Sequence, residues 1–275
     1  MYDCAVLVVL YNCKPVDSVT IQSLLDSRPA GRKTKFIFWN NGPTRQHFDL
    51  NEASGLDVEL EETLQNESLA KIYNQFINKV QSKLYVILDH DSSVSSNYIA
   101  AINTVSEGQC AFPIIWNENK ATGPLVNGSI VNKPGPLVFS DTLLAIGSGV
   151  IIGCDIIQAI KDAYGNVFDE RFYLYGIDST FCYRLERLKL STSCKIIPGF
   201  QHSLSRLEDE NTKVTDFRRK ERGYSFGLTL RHYKKLSYLR VFFILLCKRI
   251  LNKSPLSITH IVKALVSGRH YRDTK

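Results

Sequence analysis

The chain has 275 residues, 44% of them apolar, and a formal net charge of +7, enough for one large α/β domain with an appendage or for two small domains. Met1-Tyr2-Asp3 lacks the basic start of a signal peptide, and no window holds the ~18–20 uncharged apolar residues of a spanning helix, so neither is expected. The seven cysteines are odd in number and scattered without a C-x-x-C pair, and Cys4, Cys154 and Cys182 sit inside apolar patterns, which argues against a disulfide framework and for reduced thiols in a cytoplasmic protein.

Cys4–Leu10 is a continuous apolar run and is expected to form a central strand ending at Tyr11-Asn12. Asp17 or Ser18 then caps a helix with Val19, Leu24 and Leu25 facing inward. Residues 35–39 form a second strand, closed by the turn signal Asn40-Asn41-Gly42-Pro43. Strand, helix, strand and polar turn is the opening of a nucleotide-binding α/β unit. Both G-x-G-x-x-G and the Walker loop are missing, so a nucleotide would be held in some other way. Residues 58–60 suggest a short strand. Leu69, Ile72, Tyr73, Phe76, Ile77 and Val80 then trace one helical face, with Asn74 outside it as an ordinary surface amide.

Leu84-Tyr85-Val86-Ile87-Leu88 runs straight into Asp89-His90-Asp91. Five buried-strand residues followed by acids describe a strand emerging at a sheet edge, where α/β proteins bind ligands. Asp89 and Asp91, two apart, fall on one side if the chain stays extended, and two carboxylates there can hold a divalent cation. The alternative is a loop in which one Asp caps the helix near Ser95 or Ser96. Residues 97–105 follow as a helix and 111–115 as a strand, which Pro113 would confine to a sheet edge. Residues 116–139 lack periodicity and form a long loop. Residues 143–152 make a strand interrupted by Gly147-Ser148-Gly149, a sign of close approach by backbone or ligand, or of a bulge. Residues 155–163 are helical, with Gly165 just past the end.

Phe172-Tyr173-Leu174-Tyr175-Gly176-Ile177-Asp178 leads into a helix with Phe181, Leu185 and Leu188. Asp178 is a cap at that helix start or a base presented from it; Arg184 orients it or is an exposed charge. Residues 195–197 are the last strand, from which Pro198-Gly199-Phe200-Gln201-His202 turns away. His202 is a surface residue, or it completes a metal site with Asp91. From Arg218 to Lys275 the charge is +13, leaving −6 on residues 1–217. Within this basic tail, residues 241–247 are wholly apolar, which suits either a helix lying in a membrane interface or one packed on the body.

In this order, the strand at Cys4–Asn12, the turn Asn40-Asn41-Gly42, the helix after Gln65-Asn66-Glu67-Ser68, Asp89-His90-Asp91, and Phe172–Asp178 with Arg184 and His202 resemble the family-two inverting glycosyltransferases of GT-A fold, in particular the rhamnosyltransferase-like branch. The resemblance covers residues 1–205. It implies a GT-A domain there, with a mixed, mainly parallel sheet flanked by helices, and a basic, largely helical extension over residues 206–275. It departs from the family at three positions: Asn40 stands where an Asp is usual, and Ile177 and Tyr175 stand where acids are common, leaving Asp178 as the one acid of its segment.

The resemblance further implies a dTDP- or UDP-sugar donor, a glycan or lipid-linked glycan acceptor, and Mn2+ or Mg2+ as cofactor. Asp91 and Asp89, with His202, would hold the cation, and Asp178 would be the catalytic base. Tyr11, Asn12, Asn40, Asn41 and Asp89 would line the donor slot, while Arg184 would face the acceptor and Trp116, just after the 111–115 strand, would stack on its sugar or serve as a hydrophobic anchor. The product would belong to surface polysaccharide assembly, with the tail at the inner face of the membrane. A nucleotidyltransferase would also use paired acids, but its glycine-rich basic loop is missing. A nucleic-acid-binding protein would explain the basic tail and leave the acids without a role. Oligomeric state is open.

Overall fold

Alternation along β1 (Tyr2–Leu10) sends Ala5, Leu7 and Val9 into one apolar cluster and Cys4, Val6, Val8 and Leu10 into another, as a strand's period of two requires. Both faces are therefore covered. The computed structural model describes residues 1–27, 32–47, 55–202, 212–233, 239–240, 242–244 and 256–274. After β1 come α1 (Val19–Ser27), β2 (Thr34–Asn40), β3 (Asp57–Glu62), α2 (Leu69–Lys79), β4 (Ser82–Asp89), β5 (Ser92–Ser93) and α3 (Ser96–Ile102). They are followed by β6 (Cys110–Asn117), β7 (Lys120–Gly123), β8 (Leu125–Val126), β9 (Ser129–Ile130), β10 (Gly135–Pro136), β11 (Leu143–Leu144) and β12 (Val150–Gly153). The chain continues with α4 (Cys154–Tyr164), α5 (Ile177–Arg187), β13 (Cys194–His202), α6 (Thr212–Tyr233) and α7 (Ile258–Ser267).

The main sheet has the order β10-β13-β6-β12-β4-β1-β2-β3. The β3-β2-β1-β4 block is parallel, and β12 runs antiparallel to both β4 and β6. Two reversals restore direction, so β6 and its parallel neighbour β13 run the same way as β4. Hence the carboxyl ends of β1, β2, β4 and β13 arrive at one rim. This is the expected mixed, mainly parallel sheet. Helices α1 and α3 cover one face, and α2, α4 and α5 the other.

Several local expectations are corrected. Ser18 Oγ accepts from the Ile21 N–H at 3.2 Å, and Ile21, not the exposed Val19, faces the core. β6 lies inside the sheet despite Pro113. Its ladder with β12 stops at Ala111, and β13 bulges between Ile197 and Phe200, so the missing N–H falls where neither neighbour needs it. Residues 116–139 are not a bare loop: they carry β7 to β10, and β11-β8-β9 form a second small sheet. Pairs of two residues leave no periodic trace in a sequence. Finally, the chain does not turn away at Pro198. β13 continues through the bulge to His202, which pairs with Ser92. Gly199 makes this passage fit, since a Cβ there would lie 1.6 Å from the Ile114 carbonyl oxygen.

The C-terminal helices join the body. Tyr224, Leu228 and Tyr233 of α6 and Ala264 of α7 belong to the apolar cluster over α2, α4 and α5. Helices α6 and α7 meet closely at Gly227, where a Cβ would lie 2.3 Å from the Ile261 carbonyl oxygen. Of the apolar run 241–247, residues 242–244 are described and helical. Val241 and residues 245–247 lie outside the described residues.

Candidate active site

Asp89 ends β4, Asp91 follows two residues later, and His202 ends β13. The three offer ligand atoms within 4.8 Å of one another. His202 Nδ1 lies 3.3 Å from Asp91 Oδ1, and Nε2 lies 3.8 Å from Asp89 Oδ2. His202 is buried, while each acid keeps about a third of its surface open (36% for Asp89, 35% for Asp91). Asp91 Oδ1 is itself buried and, though His202 lies 3.3 Å away, makes no well-formed hydrogen bond, a poorly paired state for a carboxylate oxygen that a cation would complete. Two carboxylates and an imidazole suit a hard or borderline divalent ion such as Mg2+ or Mn2+, so the residues present fit the expected cofactor.

The short segment Gly147-Ser148-Gly149 holds this cluster in place. Ser148 Oγ accepts from the Asp89 N–H at 3.0 Å and lies 2.7 Å from Ser92 Oγ, which in turn lies 3.0 Å from His202 Nδ1. The Gly149 N–H donates to the Ile87 carbonyl at 2.6 Å. On the other side, the Gly147 N–H draws the Asp178 carboxyl down, and a Cβ on Gly147 would lie 2.5 Å from Asp178 Oδ1. The glycines in this pattern thus mark the close approach of another chain segment. That segment carries Asp178, the second residue of α5, after Gly176 at φ +87°.

The acids influence one another. Burial pushes the Asp178 carboxyl up to about 7, helped by the charge on Asp89 and opposed by the Gly147 N–H and His202. Burial also raises Asp89, with Asp91 adding to it against the pull of His202. Asp91 is also penalised by burial, but its contact with His202 outweighs that and holds it below the ordinary carboxylate value. His202 is raised: burial opposes its charge, and Asp91, Asp89 and Asp178 together override burial. Tyr73, buried on α2, has a phenol raised by burial and by the charges of both Asp89 and Asp178. In the sequence, its place in the apolar stripe of α2 points only to a core face.

The donor-slot residues divide into two groups. Tyr11 and Asn12 are exposed just past β1, Asn12 at φ +49°, a conformation asparagine tolerates. Asn40 and Asn41 are buried and saturated. Asn40 Nδ2 donates to the Thr44 carbonyl and to Glu62 Oε1, and its Oδ1 accepts from the Gly42 N–H. Asn41 Nδ2 donates to the Glu67 carbonyl and Asn66 Oδ1, while its Oδ1 accepts from Thr63 and the Glu67 N–H. Their amides shape the turn and have no group left for a base. The acid nearest that turn is Glu62, exposed at the end of β3 and held below its ordinary pKa by the Gln46 N–H and Asn40.

One expectation for the acceptor side also changes. Arg184 is 3% exposed. Its guanidinium donates to the carbonyls of Asn166 and Val167 and stands over the Tyr164 ring, so it ties α5 to the preceding loop and offers nothing to an acceptor. Trp116 is partly buried and packs against the core. Asn74 is not a surface amide: it donates to the Phe168 carbonyl and Glu170 and accepts from the Phe168 N–H. This fastens α2 to the segment that leads to Asp178.

A second group, Glu107, Cys154 and Asp155, sits at the opposite end of the strands, beside Asp3 of β1 and Lys83 of β4. It is remote from Asp178.

No family model and no curated protein matches the chain by sequence. Solved structures do match by fold. Staphylococcus aureus TarS superposes with a TM-score of 0.51 at 12% identity, over 84% of this chain and 44% of TarS. TarS residues 1–349 give 0.53 at 12% identity, over 96% of this chain and 69% of that one. The same fragment in complex with UDP-GlcNAc gives 0.52 at 12% identity, over 82% and 65%. The chain thus has a GT-A-like fold and spans less than half of the longer TarS chain.

Proposed function

We propose that the chain is an inverting glycosyltransferase that moves a hexose from a nucleotide-diphospho-sugar to a glycan hydroxyl with the help of a divalent cation. The observation that carries this reading is the convergence of four residues from three remote segments. Asp89, Asp91 and His202 gather at the strand ends, and Asp178 faces them across Gly147-Ser148. A bound Mn2+ or Mg2+ would act there as a Lewis acid on the departing diphosphate. Asp178, raised toward neutrality, takes the proton of the acceptor hydroxyl as that oxygen attacks the anomeric carbon from the side opposite the leaving group. The bond from sugar to phosphate breaks, and the nucleoside diphosphate leaves with both electrons. Tyr11 and Asn12 line the nucleotide slot, and Asn40 and Asn41 shape its wall.

The TarS complex with UDP-GlcNAc favours a UDP-sugar over the dTDP-sugar of the rhamnosyltransferase-like branch. Asp178→Asn tests the reading: transfer should fall by at least about a thousandfold with nucleotide affinity within twofold, and wild-type turnover in that variant would remove Asp178 from the mechanism. Asp91→Ala should weaken nucleotide binding only when Mn2+ or Mg2+ is present; equal affinity with and without metal would refute the cation site. A non-catalytic nucleic-acid-binding protein has no use for this convergence.

The acceptor in this reading is a lipid-linked glycan. Among the described residues no helix is long and apolar enough to cross a membrane. Leu239, Phe243, Ile244, Val262 and Val266 are exposed within a region of net charge +13, which fits contact with an anionic bilayer surface. Flotation with anionic vesicles should carry the chain up, and substituting Phe243 and Ile244 with Ser should leave it at the bottom. Equal flotation of both would overturn the contact.

A further inference from the structure

We infer that residues 268–274 are a strap that positions the loop carrying Asp178, with Arg272 and Asp273 as its fastenings. This rests on Asp178 being the base. The grip is on Tyr173, five residues before Asp178. The Tyr173 hydroxyl donates to Asp273 Oδ1 at 2.8 Å. Its ring stacks on His270 with centroids 4.5 Å apart and planes 18° apart, and the Arg272 guanidinium lies 5.5 Å from the same ring. Arg272 also reaches the donor side: Nη1 donates to the Asn66 carbonyl at 3.3 Å, and Asn66 Oδ1 accepts from Asn41. One residue of the strap therefore touches both walls of the cleft.

The strap is anchored from below by a buried ionic group the reaction does not use. Glu221 of α6 is 1% exposed and His270 is 2% exposed. Glu221 meets His270 Nε2 at 3.4 Å and Arg272 Nη2 at 3.4 Å, and accepts from the Tyr271 hydroxyl. Burial opposes its charge, but His270, Tyr271 and Arg272 together hold it below the ordinary Glu value. Ionic groups sunk this deep add little to stability over an apolar core, and their attested use is to fix one arrangement among several. Here they hold the strap in register.

The loop needs such support. Ser68 Oγ donates to the Phe172 carbonyl and the Leu69 N–H to the Tyr173 carbonyl, each at 2.9 Å, so α2 holds its start. At its end Gly176 lies against α6, where a Cβ would come within 2.3 Å of Ser225 Oγ. Between these points the side chain of Tyr173 is held by the strap, whose contacts fix the approach to α5 and so the place of Asp178 opposite Gly147.

Hydrogen exchange and transfer kinetics on the full chain test this, using Arg272→Ala, Asp273→Ala and the milder Tyr173→Phe, which removes one hydroxyl. The strap predicts exchange at least about tenfold faster in residues 172–178 with β1 and β4 unchanged, since only the local opening becomes easier. It also predicts kcat at least about tenfold lower, with KM for the nucleotide sugar within twofold, because positioning acts on the reacting geometry. Unchanged exchange in residues 172–178 in all three variants overturns the strap, as does a rise in KM with kcat intact. A wild-type chain that transfers no sugar would instead retire the proposed function, while the exchange result would still decide whether the loop is held from the C-terminal side.

Discussion

Asp178→Asn should make the protein more stable, and only toward neutral and alkaline pH. In the fold the Asp178 carboxyl stands at about 7 instead of 3.8, first because it is buried and then because Asp89 is charged. Folding thus tightens its hold on a proton. Below about pH 4 the group is protonated in folded and unfolded chains alike and costs nothing. Between about pH 4 and 7 the unfolded chain ionises first and stability falls, and above about 7 the whole penalty is present. At about 1.4 kcal/mol per pH unit, the gap between 3.8 and about 7 comes to about 4 kcal/mol. Part of the carboxylate faces the cleft, where water and ions screen it, so we expect about 2 kcal/mol. Asparagine keeps the shape and an oxygen for the Gly147 N–H but carries no charge. Urea unfolding at pH 8 and at pH 4, with chelator present, measures the difference. An Asn variant no more stable than wild type at pH 8, or stabilised equally at both, would refute the claim that the site forces a charge into an unwelcoming place.

The same raised carboxyl predicts an acid limb in kcat/KM centred near pH 7, with activity falling about tenfold per unit below it as the base takes up its proton. A profile flat from pH 8 to 5 would exclude Asp178 as that base. Two glycines separate backbone need from accident. Gly199→Ala puts a Cβ 1.6 Å from the Ile114 carbonyl oxygen, whereas a Cβ on Gly123 meets nothing within 4 Å. Thermal melts should show a loss of at least about 3 kcal/mol for Gly199→Ala and under about 1 kcal/mol for Gly123→Ala. Equal losses would show that the β13 passage is looser than its geometry.

The parts of the fold built from long periodic segments were legible in the residues. Cys4–Leu10, Leu84–Leu88 and the stripe from Leu69 to Ile77 declare a doubly covered strand or an amphipathic helix on their own. The acids at the end of β4 were legible because an apolar run that stops on two carboxylates has few uses. Non-local partnership was harder to read. Asn74 looked like a surface amide because its partners, Phe168 and Glu170, lie more than ninety residues away. Arg184 looked free because no local pattern announces the carbonyls of Asn166 and Val167 that receive it. Pro113 looked like an edge residue because propensity alone does not know that one neighbouring ladder ends and the other bulges at that point. The glycines of Gly147-Ser148-Gly149 point to close approach or to a bulge, and only the fold shows that the approaching segments are β4 on one side and α5 on the other.

The bulge in β13 has a consequence for how this chain can vary. Between the pairs Ile197 with Pro113 and Phe200 with Ile115, β13 spends one residue more than β6. Side chains of a strand alternate, so one surplus residue swaps which of Gln201 and His202 turns toward the acids. Deleting one residue from 198–199 would leave a regular ladder with His202 on its present face, whereas straightening the strand with both residues kept would turn the imidazole to the far face of the sheet, with glutamine taking its position. The site is therefore guarded by parity as well as by identity: a substitution can weaken His202 by degrees, whereas loss of the bulge at unchanged length would remove it at a stroke while leaving every named residue in the chain.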